Sequence, residues 1–320
     1  MILSFVEHEA GEATAVSLEA LTLARRTAES MGLPLHAILV GNQAREAAGP
    51  LDKYGVSTVH VGVVEGDFAP AAWAQSIVEV IERIGPRALI AAGSDRGNEV
   101  MAHVGAKTGM PMAANCTEVT PGEPFLVTRM RWGGSLLEEA SLTGTVKLLS
   151  VALHALAPET TTAPGELIVD EFTPALSEND LRTQVVERVA ADSGKISLPE
   201  AGVVVGGGRG VGSAEGFRDL EELAELLGAA VGVSRAVTSL GWRPHSEQIG
   251  QTGTRIAPDL YIACGISGAI QHMVGCKAAK RILAINTDPE APMVAKADFA
   301  VIGDLHVVLP AVCEEIRRRR

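Results

Sequence analysis

The sequence predicts an α/β protein of two domains, each a mostly parallel sheet with helices on both faces and the second Rossmann-like. Three observations predict it. A chain of 320 residues exceeds the usual size of one domain. Short apolar runs alternate with segments of helical apolar spacing. Those runs are continuous, as strands covered on both faces require. In the second half, one such run leads directly into a glycine cluster and then a helix.

The elements follow in order. Met1 to Val6 reads as a strand. Thr14 to Met31 carries Val16, Leu18, Leu21, Leu23, Ala24 and Ala28 at helical spacing, with Gly32 as a stop. Leu35 to Val40 and Thr58 to Val64 are strands, and Ala71 to Ile84 is a helix closed by Gly85-Pro86. Ala88 to Ala92 is a strand and Glu99 to Thr108 a helix. After Pro111 the rhythm changes. Thr117 to Val119, Phe125 to Arg131, Glu138 to Ser141 and Lys147 to Leu153 read as an antiparallel extension, followed by a loop (Ala157 to Gly165) and a strand (Leu167 to Phe172).

Asp180 to Leu198 is polar with few apolar anchors and reads as a linker, giving domains 1–190 and 191–320. Gly202 to Val205 is the first strand of the second domain. It runs into Gly206-Gly207-Gly208-Arg209-Gly210-Val211-Gly212, with Ser213 as N-cap of a helix from Ala214 to Leu227. Ala229 to Val231, Leu260 to Ala263, Ile282 to Asn286 and Phe299 to Ile302 are further strands. Helices are expected from Ser267 and over Val307 to Ile316.

Composition narrows the function. The formal net charge is −12, which disfavours nucleic-acid and anionic-membrane binding. The longest apolar stretch, near Leu148 to Ala157, is too short to span a bilayer, so no membrane insertion is expected. Cys116, Cys264, Cys276 and Cys313 lie far apart, which signals reduced thiols, no metal site and a cytoplasmic setting. No nucleophile elbow, Walker loop or metal-ligand cluster appears.

Chemistry concentrates after the strands of the second domain. Gly206 to Gly212 suits either an anionic oxygen approached by backbone N–H groups or a structural turn, and it lacks the dinucleotide G-x-G-x-x-G register. Ser234-Arg235 follows a strand. Gln248-Ile249-Gly250-Gln251-Thr252-Gly253 joins donors and acceptors suited to a heterocycle, or is a hairpin turn. Gly265-Ile266-Ser267-Gly268-Ala269-Ile270-Gln271-His272 places a strand end and a helix start toward a ligand anion. Asn286-Thr287-Asp288 and Gly303-Asp304-Leu305 follow strands as well. In an open parallel sheet, loops beyond the carboxyl ends of strands build the ligand site.

These stretches, with Gly232-Val233-Ser234-Arg235-Ala236, Gly250-Gln251-Thr252-Gly253 and Ala284-Ile285-Asn286-Thr287-Asp288-Pro289-Glu290-Ala291-Pro292, resemble the alpha (large) subunit of electron-transfer flavoprotein. The first 190 residues resemble that family's N-terminal domain more loosely. The resemblance implies one FAD, held mainly by the second domain, and a heterodimer with a smaller beta subunit against which the first domain lies. It implies that Arg235 sits against the flavin ring, where fixed positive charge favours added electron density. It places Thr252 and Gln251 near the ring's N5 edge and His272 near the N1–C2 carbonyl edge. Ser267, Gly268, Ala269, Ile270 and Gln271 would face the ribityl and pyrophosphate groups. Arg209 and Ser234 would also contact FAD, as would Ile249, Gly250 and Leu305. Asn286 and Asp304 would bind the adenosine end. Arg235, Thr252 and His272 would tune the redox potential, and no residue would act as a chemical catalyst. The implied task is that of an electron carrier rather than an enzyme with its own substrate. It would take electrons from acyl-CoA dehydrogenases, as in fatty acid β-oxidation, and pass them to a quinone oxidoreductase. The alternative is the large subunit of an NADH-oxidising, electron-bifurcating complex, whose second flavin would lie in the small subunit.

Overall fold

The structure is a computed structural model, and it describes residues 1–134, 136–162, 164–185, 197–199 and 201–320. The chain divides into two compact units, Met1–Val189 and Ala190–Arg320. Most of the expected linker lies outside the described residues. Asp180, at its start, is not a linker residue in this sense: it is buried and accepts a hydrogen bond from Lys107 Nζ at 2.5 Å.

The first unit runs β1 (Ile2–Phe5), the short pair β2 (His8–Glu9) and β3 (Glu12–Ala13), α1 (Ala15–Met31), β4 (Leu35–Val40), α2 (Ala44–Ala48), β5 (Val56–Gly62), α3 (Pro70–Ile84), β6 (Ala88–Ala92) and α4 (Asp95–Thr108). It continues with β7 (Met112–Thr120), β8 (Phe125–Arg131), β9 (Leu136–Leu142), β10 (Lys147–Val151) and β11 (Ile168–Phe172). Among the described residues these build a nine-stranded sheet in the order β11-β5-β4-β1-β6-β10-β7-β8-β9. All neighbours are parallel except β7 with β8 and β8 with β9. Helix α1 ends on Gly32 at φ 63°, and α4 starts on Ser94, whose Oγ accepts from the Gly97 N–H. Apolar side chains of α1 and α2 cover one face of the sheet, and those of α3 and α4 the other.

One expectation fails here. Lys147 to Leu153 does not extend an antiparallel meander. As β10 it lies parallel between β6 and β7, and every residue of it is buried. Its continuous apolar run is that of an interior strand, and the short connection from β9 hid this. The one charge on it, Lys147, is neutralised by Glu123 at 2.9 Å.

The second unit runs β12 (Val203–Gly207), α5 (Arg218–Leu227), β13 (Ala230–Val233), α6 (Arg235–Ser239), β14 (Leu260–Cys264), α7 (Ile270–Cys276), β15 (Ile282–Asn286), α8 (Pro292–Lys296), β16 (Phe299–Ile302) and α9 (Leu305–Arg319). Its described strands form a five-stranded, all-parallel sheet in the order β13-β12-β14-β15-β16. Helices α5 and α9 pack on one face around Phe217, Leu220 and Leu309, while Met273 of α7 and Met293 of α8 pack on the other around Tyr261. Two helix starts differ from expectation. A 3₁₀ turn (Glu215–Phe217) precedes α5, so Ser213 Oγ receives the Gly216 N–H one turn early. Helix α7 begins at Ile270 rather than Ser267, because Gly268 takes φ 83°.

Candidate functional site

In the second unit the chain leaves β12 for β13 on one side and returns to β14 on the other. The crevice between the carboxyl ends of β12 and β14 is therefore the switch point of the sheet, where such folds bind ligands. A cavity of about 690 Å³ opens there, within the range of small-molecule and cofactor sites.

The two loops that flank the crevice divide the work unexpectedly. After β12, the Gly208 N–H donates to Cys264 O, Gly210 to Gly265 O, Val211 to Gly208 O and Gly212 to Arg209 O. These amides are spent inside the protein. A Cβ on Gly208 would stand 2.2 Å from the Gly265 carbonyl oxygen, so glycine here permits two backbones to cross. Of the two sequence readings, the structural one describes this loop, and Arg209 is what it offers the cavity. After β14 the situation is reversed. The N–H groups of Ser267, Gly268 and Ala269 line the cavity and have no hydrogen-bond partner among the described residues. Consecutive unpaired amides are a natural holder for an anionic oxygen.

Two cations face the same space. Arg209 and Arg235 are exposed, line the cavity and have no carboxylate partner among the described residues. Nearby Arg243 contrasts with them, since Glu247 at 2.7 Å and Glu221 at 2.6 Å hold it. Arg235 opens α6 directly after Ser234, so strand β13 aims both at the crevice.

The opposite wall comes from the segment 248–252 and from α7. Ile249 N–H donates to Val233 O, which ties this segment to β13. Gly250 and Gly275 touch: a Cβ on Gly275 would meet Gly250 N at 2.3 Å, which lets α7 press His272 against the cavity. His272 is buried. Its Nε2 lies 2.8 Å from the Tyr261 hydroxyl, and its Nδ1 is buried without a hydrogen-bond partner. Burial pushes its pKa down to about 4, so the ring is neutral near pH 7.

Other expected residues have mixed placements. Ile249, Gly250, Gln251, Thr252, Gln271 and Asn286 line the cavity. Asn286 is already engaged, donating to Ile266 O at 3.0 Å and accepting the Asp288 N–H at 3.1 Å. Three residues stand outside the lining. Ile270 is exposed, Leu305 is packed in the core, and Asp304 caps α9 by accepting the His306 N–H at 3.0 Å. Sequence reasoning also left residues out. Ala236 lines the cavity beside Arg235 and Ser239 one helical turn beyond it, and Gly210, Gln248, Gly265, Ile266, Asp288 and Ala291 line it as well. The helical period of α6 would have found Ser239.

The wall thus offers unpaired guanidinium groups and amides for phosphate-like charge, and hydroxyl and amide side chains for a polar ring edge. This donor set fits a flavin dinucleotide. The comparisons agree. The family described as electron transfer flavoprotein domain matches residues 2–177, and that described as electron transfer flavoprotein FAD-binding domain matches residues 197–277. The chain is 37% identical over 325 residues to electron transfer flavoprotein subunit alpha of Mycobacterium leprae, covering 99% of this chain and 98% of that one. It is 32% identical to the protein of the same name from Thermoanaerobacterium thermosaccharolyticum, covering 98% and 97%. It is 34% identical to protein FixB of Clostridium saccharobutylicum, covering 98% and 95%. The chain belongs to the electron transfer flavoprotein alpha-subunit family, and its second unit is that family's FAD-binding domain.

Proposed function

We propose that this chain is the FAD-holding half of a one-flavin electron carrier. It pairs with a smaller beta subunit through residues 1–190, takes electrons from acyl-CoA dehydrogenases or similar flavoenzymes in the cytoplasm, and passes them to a quinone oxidoreductase. FAD, when bound, supplies the electron chemistry. The protein supplies charge and orientation. Arg235 and Arg209 present fixed positive charge, Ser267 to Ala269 present amides, and Thr252 with Gln251 addresses the ring edge. Residues 191–320 would hold the whole cofactor.

The observation that carries this reading is a site rich in fixed charge but poor in proton-transfer machinery. His272, the histidine in the lining, is buried and held far below its ordinary pKa, and Asp288, the carboxylate there, accepts the Glu290 N–H at 2.9 Å. Cys264 and Cys276 are buried, with their thiols pushed up to about 12. No hydroxyl of the lining is hydrogen-bonded to a base among the described residues. Such a wall stabilises charge without passing protons to a substrate.

The test is an anaerobic reductive titration of the chain co-purified with its beta subunit. One FAD per heterodimer, reduced by an acyl-CoA dehydrogenase with its substrate, supports the carrier. Two flavins and efficient reduction by NADH would establish bifurcation instead.

A further inference from the structure

We infer that Gln248 is a positioning residue that fixes Thr252 as a hydrogen-bond donor toward the flavin ring edge. The inference rests on the reading above that FAD occupies the cavity with Thr252 beside N5.

Gln248 is buried, and its main chain is pinned on both sides. Ile249 N–H donates to Val233 O at 2.8 Å and Thr254 N–H donates to Gln248 O at 2.7 Å. From this fixed base the side chain spans two hydroxyls. Thr238 Oγ1 donates to Gln248 Oε1 at 2.7 Å, and Gln248 Nε2 donates to Thr252 Oγ1 at 3.0 Å. Thr238 belongs to α6, the helix that Arg235 opens, and its hydroxyl also lies 3.0 Å from Arg235 O. The bridge therefore links the helix bearing Arg235, one of the cavity's two arginines, to the hydroxyl on the opposite wall.

The consequence lies in donor and acceptor accounting. A threonine hydroxyl has one proton. With Gln248 donating to its oxygen, Thr252 keeps that proton for the cavity, and no other described residue takes it. The flavin N5 accepts a hydrogen bond when the ring is oxidised and carries its own N–H when the ring is fully reduced. A threonine held as a donor favours the first over the second. Gln248 thus biases the cofactor's potential without touching it.

The experiment compares Gln248→Met, Thr252→Val and the double variant in the heterodimer. The readouts are dissociation constants of oxidised and reduced FAD. The expected result for Gln248→Met is that the ratio of oxidised to reduced dissociation constant rises roughly tenfold, the size of one hydrogen bond. The double variant should match Thr252→Val alone, because the bridge acts only through that hydroxyl. Thr238→Val, which breaks the bridge at its half-exposed end, should move the ratio the same way by less, and it guards against misfolding of the buried variant. A fall of the ratio in Gln248→Met would overturn the donor assignment, with Thr252 presenting a lone pair instead. Additive effects in the double variant would mean that Gln248 acts only on the fold. If Thr252→Val leaves the ratio unchanged, the placement of Thr252 beside N5 fails, and that failure is distinct from failure of the bridge.

Discussion

The two units each contain a sheet with a switch point, yet the larger cavity, with unpaired amides and arginines among the described residues, lies at the second. In the first unit the crevice lies between β1 and β6. The polar groups of Glu7, Ser94 and Gly93 there are consumed. Glu7 is buried and accepts from Ser94 Oγ at 2.6 Å, its N–H donates to Ser17 Oγ at 2.9 Å, and its carbonyl accepts the Thr14 N–H. Ser94 also caps α4, Gly93 N–H donates to Val151 O, and the nearby Arg96 is held by Glu9 at 3.1 Å. In the second unit, Arg209 and Arg235 have no carboxylate partner and three amides have no hydrogen-bond partner among the described residues. Topology offers a place, and unsatisfied polar groups make it a site.

Steric variants break this comparison most forcefully. A Cβ on Gly208 would lie 2.2 Å from Gly265 O, and one on Gly97 would lie 2.2 Å from Ala92 O and 2.9 Å from Glu7 Oε1. Both are backbone clashes at a switch point. Gly208→Ala and Gly97→Ala should each cost about 3 kcal/mol of stability. Only Gly208→Ala should also lower the flavin content per chain, measured by absorbance of the purified heterodimer. Equal flavin loss from Gly97→Ala would mean that the first crevice serves the cofactor too.

The second contrast is electrostatic and has opposite signs in the two units. Burial pushes Glu7 up to about 7, with the Ser94 hydroxyl pulling partly back. Its contribution to stability is full below pH about 4.5 and is lost as pH rises through about 7, an effect of about 3 kcal/mol. Burial pushes His272 down to about 4. Its contribution is present above about pH 6.5 and is lost as pH falls through about 4, by a similar amount. Denaturant midpoints across pH 4 to 8 should therefore flatten on the rising side in Glu7→Gln and on the acid side in His272→Asn. His36 in the first unit is also pushed down to about 4, by burial and then by His60. The assignment thus depends on the His272 variant and not on the acid limb itself. An unaltered acid limb in His272→Asn would show that this ring is not the proton acceptor.

A smaller effect separates the arginines. Arg235→Ala should leave stability within about 0.5 kcal/mol, because the side chain is exposed and has no carboxylate partner. It should lower the flavin reduction potential by about 60 mV, a tenfold change for one electron. Arg96→Ala, which removes a paired arginine beside the first crevice, should leave the potential where it is. Spectroelectrochemical titration of both variants decides the matter, and an unmoved potential in Arg235→Ala would remove that residue from the flavin's field.

Much of this was legible in the sequence, for identifiable reasons. The parallel strands of both sheets showed as continuous apolar runs, and Gly32 and Gly85 marked helix ends where the structure finds left-handed backbone. The cavity residues Arg235, Thr252 and His272 stood in loops after strands, where the topology puts any ligand. What stayed hidden was pairing. The apolar run of β10 marked an interior strand, but the four-residue connection from β9 suggested one more antiparallel neighbour, and only the pairing places it between β6 and β7. Nor could a glycine count show that Gly208 and Gly210 spend their amides on Cys264 and Gly265 while Ser267 to Ala269 keep theirs. Asp304 looked like a ligand contact because it follows a strand, but a strand end followed by a helix is also where an N-cap belongs. Gln248 stood in the stretch suited to a heterocycle, but its bridging role depends on Thr238, ten residues away.

The smallest expected effect concerns the hydroxyl behind His272. Tyr261 is fully buried, and its hydroxyl meets His272 Nε2 at 2.8 Å. If the hydroxyl donates, its proton is used and the ring proton resides on Nδ1, beside the Ile249 main chain that can accept it. If instead Nε2 donated, the buried hydroxyl proton would be stranded, at a cost of about 1–3 kcal/mol. The first arrangement therefore holds, and it leaves a neutral ring whose buried Nδ1–H faces the Ile249 main chain. Glu7 in the first unit also meets a hydroxyl, from Ser94, but that hydroxyl is shared with a helix cap and nothing is left over for a ligand. Tyr261→Phe should cost about 1 kcal/mol and allow both tautomers of His272. Nitrogen-15 spectra of the imidazole report this directly. A single Nδ1–H tautomer that persists in Tyr261→Phe would assign the tautomer to the surrounding backbone instead, and the second switch point would then owe this ring's fixed proton to α7 rather than to β14.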